Sequence, residues 1–600
     1  MIRLEIIDSS SGVTMVPHLP STLGFELIRE NPFFARRGDY TYDIDISLRD
    51  PHNRAIYDHI DRLTRAGRPQ NRRARLYCDG HVICDGKEVI LKKEGDNVKI
   101  QILAGNSELN ILTADENLRI RDMDFGSFTE PRDRQTYLGL IYPDVHIAYP
   151  TVFTAYASDK DSDITYDVPY IGNKMIFENG NSQYDGRTPS RMFPFLMYYV
   201  EKFIQLLGFT IGTNELLQDE RWKRLIIING YQLVTRERQI VASKMLPDWS
   251  AAEFLQEIET FFNCVIVCNH VTKVANILSA KSFYSSANTV RLRDEDILDE
   301  FDCDFTVDEQ FYNNYANVQY KMPDNEWGKY ASLSEDVRNK CTRETAGISD
   351  QHIRSTDQWK IFHDEQYDFD YFSLWIKQDE NTRAHTIRRV DFFAQHLENV
   401  GSVNTMRIVP AEIRVVQAFP AQGQGWLTCA MPQYVERTED QDFEESLENG
   451  MAEEKTMDTM QVAFYGAIRL RRSYSDGVET MPYVAPMLFN QRYHTLWVNL
   501  HRYQDIMDGA VRITDNDITD GSKMNLELNG DAGRFGMDFS QSAQVNSKEA
   551  RTIRFRGGAE LDPTRQYLIH GRLFACQQLK YTYSNGSQHP VVEGIFFPCL

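Results

Sequence analysis

Alternation over residues 41–48 constrains this chain most. Tyr42, Ile44, Ile46 and Leu48 alternate with Thr41, Asp43, Asp45 and Ser47, and a period of two places the apolar set on one face of a half-buried antiparallel strand. Such a strand needs neighbours and a cover, and both follow in order. Asp50, Pro51 and Asn53 open a helical stretch whose Ile56, Ile60 and Leu63 fall on one stripe, and Gly67 and Pro69 stop it. Residues 75–78 and 82–84 flank Asp79-Gly80, a dipeptide that accepts positive φ in a tight hairpin, and Asp85-Gly86 repeats the signal before residues 89–91. A turn at Gly95-Asp96-Asn97 leads into Val98, Ile100 and Ile102. This order predicts a small curled sheet or β-barrel with an inserted helix, and it contains no catalytic motif.

The chain has 600 residues, more than one hydrophobic core supports. Four units are read along it: an N-terminal β-barrel with inserted helix over 1–115, a mixed α/β helix-hairpin domain over 116–290, a second β-rich, barrel-like domain over 291–435, and an acidic linker with a C-terminal β-rich domain over 436–600. The fold class is α+β, β-rich and multidomain. In the second unit, residues 191–207 form an amphipathic helix with Pro194 in its first turn, and residues 225–228 read as a strand buried on both faces. Ser250 and Glu253 form a capping box before the apolar face of Phe254, Leu255, Ile258, Phe261 and Phe262, and a hairpin from Cys264 follows directly. Acids crowd residues 293–308, marking a boundary, and dominate 436–454, the composition of a loop or linker. Beyond the linker, strand patterns at 461–470, 495–500, 524–528, 552–555 and 573–583 are separated by Asp-Gly and Asn-Gly turns.

With 87 acids against 65 lysines and arginines, the net charge is −22, which argues against a protein that coats nucleic acid. Arg36-Arg37, Arg72-Arg73-Arg75 and Arg469-Arg471-Arg472 read as solvated faces or subunit contacts. An acidic wall is compatible with a DNA conduit, since like charge keeps a passing polyanion from adhering. Nine cysteines, odd in number and without a CxxC pair, favour reduced thiols formed in a cytoplasm, although Cys78 and Cys84 could face each other across a hairpin. No export signal is visible at the start, and the most apolar stretch, 192–207, is broken by Pro194, Glu201, Lys202 and Gln205, so no membrane-spanning segment is read.

Motifs that carry chemistry fail one by one. Asp159, Asp161 and Asp163 have a calcium-loop spacing, but Ile164 and Tyr170 stand where glycine and a bidentate acid belong, and Asp515, Asp517 and Asp520 are out of register. His352, His363, Asp364, Glu365, Asp368 and Asp370 lack a constrained metal pair, and Cys264, Cys268 and His270 fit a core strand better than a zinc site. Gly423 and Gly425 are followed by Thr428 where a nucleotide loop needs glycine. No catalytic, cofactor-binding or metal residue is assigned, and no cofactor is expected.

Residues 21–110 and 189–280 together resemble tail proteins of Bacteroidetes phages and prophages, within the wider class of tail hub or baseplate hub proteins. The stretches that carry the resemblance are 25–40 leading into the 42–48 strand, Pro51-His52-Asn53-Arg54, Arg75-Leu76-Tyr77 with Asp79-Gly80, 194–208, and Leu246-Pro247-Asp248-Trp249-Ser250 through Phe261-Phe262. Arg572-Leu573-Phe574-Ala575-Cys576 and Glu593-Gly594-Ile595-Phe596-Phe597 add to it near the C-terminus. The resemblance implies a structural virion protein, a homotrimer at the distal end of the tail tube, each chain giving two small β-barrels so that three chains match a sixfold tube. Such a hub closes the tube, carries a spike or fibres, contacts tube and distal tail proteins, and opens for DNA that passes without specific binding. It implies assembly in the host bacterial cytoplasm; some tail-tip proteins also carry a peptidoglycan- or glycan-cleaving domain, for which residues 436–600 are the place, but no residue there is assigned and no enzyme activity is expected. The chain departs from this scheme in one respect: no second copy of the first module is visible between residues 300 and 430. Two other readings stand beside it, a cell-wall or cell-surface glycan-cleaving enzyme acting through carboxylates of the C-terminal half, and a non-viral glycan-binding or adhesion protein.

Overall fold

The strand predicted over residues 41–48 forms in two pieces, Tyr40–Thr41 and Ile44–Ser47. The first pairs with Phe25–Glu30 and, at Tyr40 opposite Leu103, with Asn97–Leu103; the second pairs with Asn97–Leu103. The break between the pieces reverses the expected facing at the start: Thr41 is buried, with its Oγ1 accepting from the Ile102 N–H at 3.0 Å, whereas Tyr42 is exposed. Ile44, Ile46 and Leu48 keep the inward face. The computed structural model in which these elements are seen describes most of residues 2–305, 318–321, 342–345, 359–364, 369–378, 382–388, 404–417, 426–430, 458–490, 524–539 and 545–599.

The first helix is shorter than its apolar spacing predicts. It spans Pro51–Ile56, capped by the Asp50 carboxylate, which accepts from the His52 N–H at 2.8 Å. Asp58 and His59 then adopt φ of 53° and 55°, which ends the helix well before Gly67 and leaves Leu63 fully exposed. Buried Asn53 anchors the helix, accepting from the His18 N–H at 2.8 Å and donating to the His18 and Ser47 carbonyls at 2.9 and 3.0 Å. Asp79-Gly80 turns as predicted, with φ of 50° and 83°. Asp85-Gly86 does not: both lie inside the strand His81–Glu94, where Gly86 permits close approach, since a Cβ there would stand 2.2 Å from the Leu103 carbonyl oxygen. Cys78 and Cys84 lie opposite His81 and Leu76 rather than each other, and both thiols are free.

The largest sheet takes strands from both ends of the chain. In order they are Thr14–Met15, Ile2–Asp8, Arg72–Cys78, His81–Glu94, Asn97–Leu103, Tyr40–Thr41, Phe25–Glu30, Arg572–Ser584, Ser587–Pro598, Ala550–Arg556 and Ile297–Asp304. At the seam, Phe25–Glu30 runs antiparallel to Arg572–Ser584. The sheet therefore crosses the stretches 1–115, 291–435 and 436–600, and its core joins Leu27, Ile46 and Ile100 to Phe555, Tyr581 and Phe596. Among the described residues no sheet closes into a barrel. The barrel predicted for residues 1–115 is instead an open sheet, because the edge at Phe25–Glu30 is taken by the C-terminal hairpin.

A second core forms around the helices Leu196–Leu206 and Ala251–Phe262. Phe193–Pro194 is extended and pairs with Ile147–Ala148, so the first of these helices starts after Pro194 rather than around it. The capping box closes as predicted: Ser250 Oγ accepts from the Glu253 N–H at 3.2 Å and Glu253 Oε2 from the Ser250 N–H at 2.7 Å. Asn263, at φ 48°, passes the chain into the hairpin of Cys264–Asn269 and Val274–Ser279. Leu225–Ile228 is buried throughout and pairs with Met460–Tyr474, which takes Ile408–Pro410 in parallel. Val318–Tyr320 and residues 404–411 also belong to this core, while residues 342–388 contribute a separate four-stranded sheet. A small aromatic cluster joins the two cores: Phe33 stacks on Phe283 at 4.3 Å, and Phe34 meets Phe283 at 6.3 Å and Phe597 at 5.9 Å.

Candidate functional site

Among the described residues no three histidine, cysteine or acidic side chains converge with metal-binding geometry. Cys264 and Cys268 are buried in their strand, opposite Ser279 and Ala275, as core residues. His363 and Asp370 are opposite each other in the backbone register of two antiparallel strands. Asp159, Asp161, Asp163, Asp515, Asp517, Asp520, His352, Glu365, Asp368, His270, Gly423, Gly425, Arg36, Arg37 and the acidic stretch 436–454 lie outside the described residues. No helix among those described is long and apolar enough to cross a membrane.

The polar chemistry of the interior is concentrated on arginines; of these the sequence reading singles out Arg72 alone and expects it on a solvated face or subunit contact, whereas Arg72 is buried, because Glu88 neutralises it inside the sheet. Arg534 is fully buried; its Nε donates to Asp538 at 2.8 Å, its Nη1 to the Tyr320 hydroxyl at 3.1 Å and its Nη2 to the Phe261 carbonyl. Its guanidinium lies 4.3 Å from the Phe261 ring centre and 5.1 Å from that of Phe539. Asp538 also accepts from Arg221 Nη2 at 2.8 Å. Burial works to raise the Asp538 carboxyl, but Arg221 and Arg534 outweigh it and hold it below the usual carboxylate range.

Arg407 forms a second clasp, over the Trp249 ring at 4.7 Å, with Nε donating to Glu257 at 2.9 Å and Nη1 to Glu253 at 3.1 Å. Burial pushes the Glu257 carboxyl up against the pull of Arg407. In the large sheet, Arg72 Nε donates to Glu88 at 2.6 Å and the Tyr57 hydroxyl donates to Glu88 at 2.7 Å. In all three groups guanidinium engages the carboxylate, a fastening role, and in the first two it ties together segments far apart in sequence. The visible signal is an acid, Glu257, set within the apolar face of its helix. Nothing local marks Arg534.

One surface element stands apart. Ile297–Asp304 is the last strand of the large sheet, paired with Ala550–Arg556 on one side and with no described strand on the other. Phe301 is opposite Ile553, which is opposite Gly594. The Phe596 ring covers Gly594, where a Cβ would stand 2.4 Å from Phe596 Cε2. An apolar row thus crosses the strands through Phe596, Ile553 and Phe301, with exposures of 0%, 5% and 55%, and Phe305 follows at 70%. The Arg551 guanidinium lies 5.7 Å from the Phe301 ring centre, and on the other face Arg554 contacts Asp302 at 3.5 Å and Glu593 at 3.0 Å. Residues 293–304 carry seven acids and one arginine, Arg293, which is itself bound to Glu295 at 2.9 Å and Asp296 at 2.7 Å.

No protein family matches this chain, and no curated protein does. Among solved structures it is similar to the 43 kDa tail protein of prophage MuSo2 from Shewanella oneidensis, at 6% identity over 99% of this chain and 95% of that one, with a TM-score of 0.29. It is also similar to a tail protein from Neisseria meningitidis MC58, at 7% identity over 100% of this chain and 96% of that one, again with a TM-score of 0.29. A TM-score of this size does not establish a shared fold.

Proposed function

We propose that this chain is a structural component of a phage tail, a hub or tail-tip protein that closes the distal end of the tail tube, carries a spike or fibres, and opens for DNA passage. In this reading it is a homotrimer in contact with tube and distal tail proteins, assembled in the host cytoplasm, and it catalyses no reaction.

The observation that carries the reading is where the resembling stretches lie. Phe25, Ile44, Leu76, Phe574 and Phe596, drawn from the stretches near both ends of the chain, meet in one core. Leu196, Phe203, Trp249 and Phe261, from the central stretches, meet in the other. Resemblance that falls on frameworks rather than on a reactive centre suits a part whose task is to hold a shape.

The test is negative-stain imaging and mass measurement of the purified protein, alone and with tail-tube protein. Trimeric rings are expected. A chain that stays monomeric and forms no ring with tube protein present overturns the reading.

A further inference from the structure

We propose that Ile297–Asp304 is a docking edge for an extended basic segment of a partner protein, which adds to the large sheet as a further strand and lays an apolar side chain over Phe301. Sheet edges in soluble proteins are commonly guarded by charge, a bulge or a cover. This edge has a register shift between Ile297 and Phe301 and abundant acids, yet its apolar row stops half-finished, buried at Phe596 and Ile553 and open at Phe301. A row of that kind is completed by one more strand.

The charge selects the occupant. Two copies of this strand would set four acids, Asp299, Glu300, Asp302 and Asp304, against four, so repulsion disfavours self-pairing. The strand already bound on the inner side shows what chemistry is accepted: Ala550–Arg556, sequence ARTIRFR, places Arg551 over Phe301 and Arg554 against Asp302. A segment that alternates lysine or arginine with apolar residues repeats that pattern on the outer side. This inference does not rest on the tail reading, and peptide binding is read separately from ring formation.

The test uses the full chain and a fluorescein-labelled ARTIRFR peptide, with the charge-reversed peptide AETIEFE as its counterpart, read by fluorescence anisotropy. The basic peptide binds, with affinity falling on the order of tenfold from low to high salt, and the acidic one does not. A Phe301→Glu, Asp304→Lys variant loses roughly tenfold or more in affinity, both side chains being on the surface strand. Hydrogen exchange on the wild-type chain gives a reading free of variant folding: amides of 297–304 exchange faster than those of 551–555 and slow when peptide is added. Failure of ARTIRFR to bind, or equal binding by the variant, overturns the proposal. So does equal protection of 297–304 and 551–555 in the free chain, which would mean that the chain covers its own edge. A concentration-dependent dimer abolished by Phe301→Glu would assign the edge to a second copy instead.

Discussion

Phe25 and Tyr583 stack at 4.9 Å with their rings 10° from parallel, at the seam where the first strands of the chain meet its last hairpin. Among the described residues this is the strand pair that joins the N-terminal strands to the C-terminal hairpin. Tyr583 is fully buried there. Tyr583→Ala therefore costs about 3–5 kcal/mol, the usual range for removing a buried aromatic ring, whereas Tyr42→Ala, at an exposed position, changes stability by no more than about 0.5 kcal/mol. Urea midpoints of the two variants check this, and equal midpoints would mean that the seam carries no cooperative contact.

Arg534 and Asp538 make a prediction with a sign in pH. Arg534→Met leaves Asp538 buried with Arg221 as its remaining described cation, and breaking a buried pair in this way costs about 3–5 kcal/mol. The Asp538 carboxyl is lowered from its ordinary value of 3.8 in the folded chain. Its stabilising contribution is accordingly complete above that value and lost as pH falls through the folded one. The stability difference between wild type and Asp538→Asn is thus constant from neutral pH down to about pH 4 and shrinks below it. Denaturant midpoints of both proteins across that range test the sign, and a difference that widens on acidification would contradict it.

At the joint between the two cores Phe33, Phe34, Phe283 and Phe597 pack with Val265, Ala280, Val545 and Ala575. Phe283 touches both Phe33 and Phe34, with Phe597 completing the cluster. Phe283→Ala weakens the coupling more than it weakens either core, so calorimetry that shows one transition in wild type resolves into two in the variant. A single transition shifted as a whole would instead place Phe283 inside one cooperative unit.

Local features are legible in the sequence because a few adjacent residues determine them. The Ser250/Glu253 box, the Asp79-Gly80 turn and the buried run Leu225–Ile228 all form as their residue types require. Strand partnership is not legible in the same way. Phe25–Glu30 shows an edge that the module's own strands or the C-terminal hairpin could fill, and the choice depends on packing across the whole chain. Periodicity also misleads where the backbone turns: Ile56, Ile60 and Leu63 keep helical spacing, but Asp58 and His59 take left-handed conformations that the spacing does not encode. The arginine clasps are hidden for a related reason, since Arg534 acquires its burial only when Tyr320, Phe261 and Asp538 close around it.

Gly80 and Gly86 separate these two kinds of information within one hairpin. Gly80 takes φ of 83° with nothing within 4 Å of the position of a Cβ, so Gly80→Ala meets only backbone strain, about 1–2 kcal/mol. Gly86 lies in ordinary strand backbone, but its Cβ would stand 2.2 Å from the Leu103 oxygen and 2.6 Å from the Leu103 carbonyl carbon. Both obstructing atoms are backbone, so relief requires His81–Glu94 and Asn97–Leu103 to separate where Lys87 faces Leu103. Gly86→Ala is consequently the more damaging change, by at least about 1–3 kcal/mol over Gly80→Ala, although Asp79-Gly80 and Asp85-Gly86 look alike in sequence. Melting temperatures of the two variants decide between the readings. A larger loss at Gly80 would mean that Asp85-Gly86 is a turn after all and that the strand does not run unbroken through it.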